Sequence, residues 1–297
     1  MTPTGTSWHC AAQWRGHQGA IYDLAVTPDG EVWSVGGDGL LVKWSRSAKG
    51  GEATGEAMAR TDQALFSIGV NGEGVLAGGA SGGLVHWTPE GTDILQGHEG
   101  GTFLIGPTLS AGADGRLRQW RTGEVVMEVP GRIRCLLTDE KGHWLGTHHG
   151  RIHSTAKVDV FEAHDGSVRG LMNWPGKPAV ASVGADGLMK LWSTSDRPWS
   201  PLLSIEAHKG AIYRIEASPC GQWVATASRD KSVAIWSAAT LDLVARLQGL
   251  GMKGHTRSVN ALVWLDERTL VSGGDDRRIL VWRRGDARHA KPVVGRG

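Results

Sequence analysis

A histidine, a hydroxyl residue and an aspartate in hydrogen-bonded series are the groups that activate a serine nucleophile. This chain carries such a trio five times, always followed by a tryptophan. The sets are His17, Ser34, Asp38 and Trp44; His98, Ser110, Asp114 and Trp120; His164, Ser182, Asp186 and Trp192; His208, Thr226, Asp230 and Trp236; and His255, Ser272, Asp276 and Trp282. An active site needs one nucleophile beside one base. A trio repeated at fixed spacing is instead the mark of a structural unit, so no catalytic residue is assigned and no enzyme is expected. A second chemistry is offered by His143, His148, His149 and His153, since imidazoles suit zinc or nickel. Neighbouring strand residues point to opposite faces, however, and no carboxylate or thiol nearby completes a site, so neither a metal nor a cofactor is expected.

The elements that hold these residues are repeats. SVGGDGLLVKW, SAGADGRLRQW, SVGADGLMKLW, TASRDKSVAIW and SGGDDRRILVW are one pattern, with AGGASGGLVHW a weaker copy and WLGTHHGRIHS weaker still. Their last residues fall at 44, 87, 120, 154, 192, 236 and 282. The mean spacing, about 40 residues, is that of a four-stranded propeller blade. Each histidine precedes a short apolar strand, turn residues follow, and a second and third strand flank the aspartate turn. The spacing therefore predicts an all-β, seven-bladed propeller over 1–284, with 285–297 a basic tail. Ser7 to Trp14 alternates like a strand and is expected to close blade seven. In blade two the four places read Thr61, Ala77, Ser81 and Trp87, and in blade four Val129, Trp144, His148 and Ser154. Lacking the polar set, these two blades should be the least stable, with blade four opening first.

The recurrence of His, Ser or Thr, Asp and Trp at fixed offsets resembles the WD40-repeat family over nearly the whole chain. The aspartate that commonly follows the tryptophan there is absent here; Ser, Thr or Arg stands instead. The resemblance implies a buried chain of hydrogen bonds from indole to hydroxyl to imidazole to carboxylate, pinning three strands together. It also implies a protein-interaction scaffold without enzymatic activity, a subunit of some larger assembly.

Aligning the blades on the histidine places Tyr22, Phe66, Phe103, Arg134, Arg169, Tyr213 and Asn260 five residues on. Of the three Phe and two Tyr in the chain, four occupy this one offset. Apolar residues flank it at spacings of four and seven from the histidine, which breaks strict alternation and predicts a β-bulge. The resemblance implies that this part of the strand faces the upper rim of the central channel. Arg229 and Asp275, each one residue before the turn aspartate, should share that face. Aromatics and Arg are the types enriched at binding hot spots. Packing of the aromatics between blades is the other reading, and an RNA- or peptide-reading rim using Arg134, Arg169 and Arg229 is a further one.

Composition narrows the function classes. With 32 basic and 30 acidic residues the formal net charge is +2, which does not mark a general nucleic-acid or anionic-membrane binder. Arg283, Arg284, Arg288, Lys291 and Arg296 against Asp286 make the end of the chain locally basic, a possible electrostatic contact for RNA or an acidic partner. Cys10, Cys135 and Cys220 are too scattered for a disulfide framework or a CxxC metal pair. The first residues lack the pattern of a secretory signal and no long apolar run occurs, so the expectation is a cytoplasmic protein away from membranes.

Overall fold

The computed structural model describes residues 7–46, 53–140, 142–155, 160–195, 199–249 and 254–285. They form 28 strands, β1 to β28, arranged as seven four-stranded antiparallel sheets. No helix among them is long and apolar enough to cross a membrane. Blade one runs β2 (Ile21–Val26), β3 (Val32–Gly36), β4 (Leu40–Arg46) and β5 (Ala53–Arg60), from the channel outward. The innermost strands of blades two to seven are β6 (Leu65–Val70), β10 (Thr102–Ile105), β14 (Ile133–Asp139), β18 (Val168–Asn173), β22 (Ile212–Ala217) and β26 (Val259–Asp266). Each packs against the innermost strand of the next blade, and β2 packs against β26, so the ring is closed.

Closure is reinforced by strand pairing, because blade seven draws on segments near both ends of the chain. Its sheet runs β26, β27 (Thr269–Gly274), β28 (Arg278–Arg284) and then β1 (Trp8–Arg15). β1 lies antiparallel to β28, with Trp14 opposite Ile279 and Cys10 opposite Trp282. The expectation that the N-terminal segment closes blade seven holds.

The second strand is the most deeply buried of each blade: every residue of β3, β19 (Ala179–Gly184) and β27 is enclosed, and in blades four and six only the first one or two residues are half-buried. Such a strand has a neighbouring blade on both faces, which is why these segments read as runs of apolar and small residues around one buried serine rather than as alternation. The outermost strands carry one face to solvent, and Ile94 and Leu202 there are exposed. The apolar interior divides into seven clusters, each at a seam between successive blades. Trp14, Trp44 and Leu24 meet Ile279 at the seam of blades seven and one, for example. The seam of blades two and three is the thinnest, with only Leu76, Leu84 and Trp120 fully enclosed.

A turn joins the second and third strands of each blade and needs a residue at positive φ. Gly39 supplies it in blade one at φ +73°, where a Cβ would lie 2.3 Å from the Thr61 carbonyl oxygen. Lys231 and Arg277 take the same left-handed conformation in blades six and seven.

Candidate functional site

The repeated polar set has the same geometry in four blades. In blade one the Trp44 indole N–H donates to Ser34 Oγ at 2.8 Å, and Ser34 lies 2.7 Å from His17 Nε2. His17 Nδ1 is 2.9 Å from the Asp38 carboxylate. Blade five repeats this with Trp192, Ser182, His164 and Asp186, and blade six with Trp236, Thr226, His208 and Asp230. Blade seven does so with Trp282, Ser272, His255 and Asp276. One proton arrangement satisfies all four groups: indole to hydroxyl, hydroxyl to Nε2, and Nδ1–H to carboxylate. That polarity is also that of a nucleophile triad. Here, however, the hydroxyl already accepts an indole proton and is 0% exposed at Ser34, Ser182, Thr226 and Ser272, so no substrate carbonyl can reach it. Burial opposes ionisation of the five aspartates, but the histidine bond and backbone N–H groups outweigh it, and all five carboxyls sit below the ordinary carboxylate value.

Two blades correct the sequence reading. In blade three His98 bridges Asp114 and Ser110 as expected, at 2.9 Å each, but the Trp120 indole donates to the Pro107 carbonyl at 3.1 Å. His98 and Ser110 are only 12 residues apart, against 17 or 18 in the other complete blades. The shortened hairpin between the first two strands brings Pro107 to the indole. In blade four the places shift by one residue. Ile133 pairs with Thr147, as Ile21 pairs with Gly36. Leu145, His149 and Thr155 therefore stand where Ser34, Asp38 and Trp44 stand, rather than Trp144, His148 and Ser154. Trp144 instead occupies the place of Trp33, and both cross a seam: Trp33 meets Trp87 at 4.9 Å and Trp144 meets Trp199 at 3.8 Å.

All seven innermost strands carry the bulge. The register breaks between Ile21 and Asp23, Leu65 and Ser67, Thr102 and Leu104, and Ile133 and Cys135. It breaks again between Val168 and Gly170, Ile212 and Arg214, and Val259 and Ala261. The residue skipped is in turn Tyr22, Phe66, Phe103, Arg134, Arg169, Tyr213 and Asn260. A bulge re-aims the extra side chain, and these seven line one depression of about 480 Å³ at the mouth of the channel. Three form an aromatic wall across blades one to three: Tyr22 meets Phe66 at 5.4 Å, and Phe66 meets Phe103 at 5.7 Å. The aromatics thus touch across blades and also face the opening. Arg134 lies over the Phe103 ring at 4.2 Å and Arg169 over Tyr213 at 5.3 Å. Asp275 joins the lining because Asn260 donates to it at 2.7 Å. Arg229 does not line the depression; it is exposed on the turn outside it.

Two lining residues, Asp23 and Arg214, were not singled out from the sequence. Asp23 is buried, accepts from the Ile68 and Leu24 amides, and lies 3.5 Å from Arg214. Arg214 also binds Glu216 at 2.9 Å, and Asp23 above all holds its guanidinium firmly charged. Burial pushes the Cys135 thiol, beneath the same mouth, up to about 12, so the protonated thiol is favoured there.

The blade-four histidines do not converge. His148 and His149 stack at 3.7 Å in the turn, with His148 Nδ1 accepting from the Arg132 amide. His143 pairs with Thr138, and His153 is buried in the third strand. Among the described residues no group of three or more His, Cys, Asp or Glu is placed to hold a metal ion. Of the basic tail, 286–297 lie outside the described residues.

A closed ring of seven four-stranded blades, pinned by Trp–Ser–His–Asp chains, defines a WD40 propeller. The family model described as WD domain, G-beta repeat matches residues 8–45, 155–193, 199–237 and 247–283, just over half of the chain, and the chain belongs to that family. Blade two, which lacks the polar set, blade three, with its short hairpin, and the three inner strands of blade four, which also lacks the set, fall in the unmatched stretch. Along 94% of its length the chain is 25% identical to a ribosome biogenesis protein WDR12 homolog of Chlamydomonas reinhardtii, covering 55% of that protein. Over 48% of its length it is 28% identical to cell division cycle 20.1, cofactor of APC complex, of Arabidopsis thaliana, covering 29% of it. The chain thus spans about half the length of the first of these relatives and under a third of the second. The WD40 beta propeller domain of Doa1 superposes with a TM-score of 0.80 at 20% identity, covering 96% of this chain and 99% of that one, a likeness of fold.

Proposed function

We propose that this propeller is a non-enzymatic interaction scaffold that binds a protein partner at the upper depression. The observation that carries the reading is the bulge repeated in all seven blades, which turns one side chain per blade into a common opening. A packed core needs no such convergence, and its cost to strand regularity has a use at a binding surface. The hydroxyls of the His–Asp sets are locked in the blade seams, which supports the non-enzymatic part. The similarity to a protein named as a cofactor of APC complex supports a place within a larger assembly. Three free cysteines are compatible with a cytoplasmic setting.

The test compares wild type with Phe66→Ala/Phe103→Ala and with Ile94→Ser/Leu202→Ser on the outer strands, in a tagged capture from native lysate. A partner captured by wild type and by the outer-strand variant, and lost by the folded rim variant, supports the assignment. Retention by the rim variant moves the site elsewhere.

A further inference from the structure

Three arginines stand at the mouth of the channel, and their charges are treated differently. Arg214 is neutralised twice, by Asp23 at 3.5 Å and Glu216 at 2.9 Å. Arg134 and Arg169 meet no carboxylate among the described residues; each lies against an aromatic face. Arg169 Nε is buried without a hydrogen-bond acceptor. Burial, then repulsion from Arg169 and Arg132, pushes the Arg134 guanidinium down to about 10. Two half-buried cations side by side without a counter-charge oppose folding.

We propose that the depression receives an oxyanionic side chain of a partner polypeptide between Arg134 and Arg169, with an apolar neighbour of that side chain on the Tyr22–Phe66–Phe103 wall. This rests on the reading of the depression as the partner site and names the chemistry that the site selects. A guanidinium stacked on a ring keeps its N–H edge free, and that edge matches a carboxylate or phosphate bidentately. The partly desolvated setting strengthens the attraction relative to water. The lining is divided: aromatic over blades one to three, cationic over blades four and five. Asp275, the rim carboxylate without an arginine partner, belongs to blade seven and is bonded to Asn260. A volume of about 480 Å³ holds a few side chains. Two arginines confined to a cup, in a chain of net charge +2, fit a peptide better than the extended track of charge that a nucleic-acid backbone requires.

The experiment measures binding of the full chain to four degenerate dodecapeptide pools with a fixed central Glu, phosphoserine, Gln or Lys. The Glu or the phosphoserine pool should bind roughly tenfold tighter than Gln and Lys, about 1.4 kcal/mol. Which of the two wins tells carboxylate from phosphate. Arg134→Gln/Arg169→Gln should abolish the preference while keeping or raising the melting temperature, and Arg229→Gln should leave it intact. Should the double Gln variant fail to fold, Arg134→Lys/Arg169→Lys retains the charge and loses the fork, and the preference should weaken without vanishing. No anionic preference, a preference that survives loss of both arginines, or binding of an oligouridylate through them with neither anionic pool bound each overturns the proposal. If Phe66→Ala/Phe103→Ala still loses the native partner while both anionic pools are ignored, the rim reading stands and only the oxyanion proposal falls.

Discussion

The Asp23 carboxylate on blade one lies 3.5 Å from the Arg214 guanidinium on blade six, so this pair spans the channel mouth past blade seven. Asp23 simultaneously accepts the Ile68 amide of blade two at 3.1 Å. One carboxylate therefore ties three blades. Asp23→Ala strips Arg214 of one partner and leaves the buried Ile68 N–H without an acceptor. Breaking a fully buried pair costs about 3–5 kcal/mol. Arg214 is partly solvated, so about 2–3 kcal/mol is expected, read from urea midpoints. Asp23→Asn, which keeps an acceptor for Ile68, should lose less. Equal losses would show that the backbone bond contributes nothing.

The two destinations of the tryptophan indole make a second contrast. Ser182 is held between Trp192 and His164, whereas Ser110 bonds His98 alone and Trp120 turns to Pro107. Ser182→Ala orphans two buried partners and should cost about 2–4 kcal/mol; Ser110→Ala orphans one and should cost about 1–2 kcal/mol. Denaturant unfolding of the two variants measures the difference, and parity would sink the distinction between the blades.

What the sequence disclosed and what it withheld follow from the same physics. His255, Ser272, Asp276 and Trp282 were legible because each member of a buried polar chain must supply a particular donor or acceptor, so the set repeats at fixed offsets. The same offsets placed Tyr22, Phe66 and Phe103 at one strand position, and their flanking core residues announced the bulge. Blade four has no Asp in its second turn and no Trp ending its third strand to anchor the register, so the motif spacing points to Ser154 for a place that Thr155 fills. Trp120 kept its place in the pattern but not its partner, since a shortened hairpin changes which acceptor is near without changing the motif. Asp23 and Arg214 gave no signal: each follows a bulge residue, and their pairing across the channel is visible only once the ring is closed. Arg229 shared a turn position with Asp275 but lacks the Asn260 bond that draws Asp275 inward.

The carboxylates of the polar sets give the fold a defined acid limit. Asp230 and Asp276 are the most depressed, because imidazole and backbone donors outweigh the cost of burial. A carboxyl lowered in the native state lends stability that is complete above its unfolded value, about pH 4, and drains away as pH falls toward the native value. These carboxylates cost nothing from neutrality to about pH 5 and make the melting temperature fall steeply below it, while His98 and His153, held below the ordinary imidazole value by burial, add a shallower loss from about pH 6.5 downward. Asp276→Asn should lower stability at pH 7 and flatten the acid decline. A variant that falls as steeply as wild type below pH 4 would assign the acid transition to other groups.

Local opening should begin at the seam of blades two and three. Blade two has Thr61, Ala77 and Ser81 where the polar set would stand, and Trp120 on the facing blade is not tied to Ser110. That seam encloses only Leu76, Leu84 and Trp120. Blade four also lacks the set, and the sequence alone pointed to it as the weakest. Its outer seam, however, buries Trp144 against Trp199 at 3.8 Å, with Ile152, Val168 and Trp192 around them. Apolar enclosure of that size offsets the missing hydrogen bonds, each worth about 1 kcal/mol net. Hydrogen exchange read by mass spectrometry should thus find the amides of β7 (Val75–Gly79) and β8 (Leu84–Thr88) exchanging ahead of those of β15 (Gly142–Thr147). A margin of roughly tenfold corresponds to about 1.4 kcal/mol in opening free energy. If β15 exchanges first, the polar set rather than the apolar seam governs the stability of a blade.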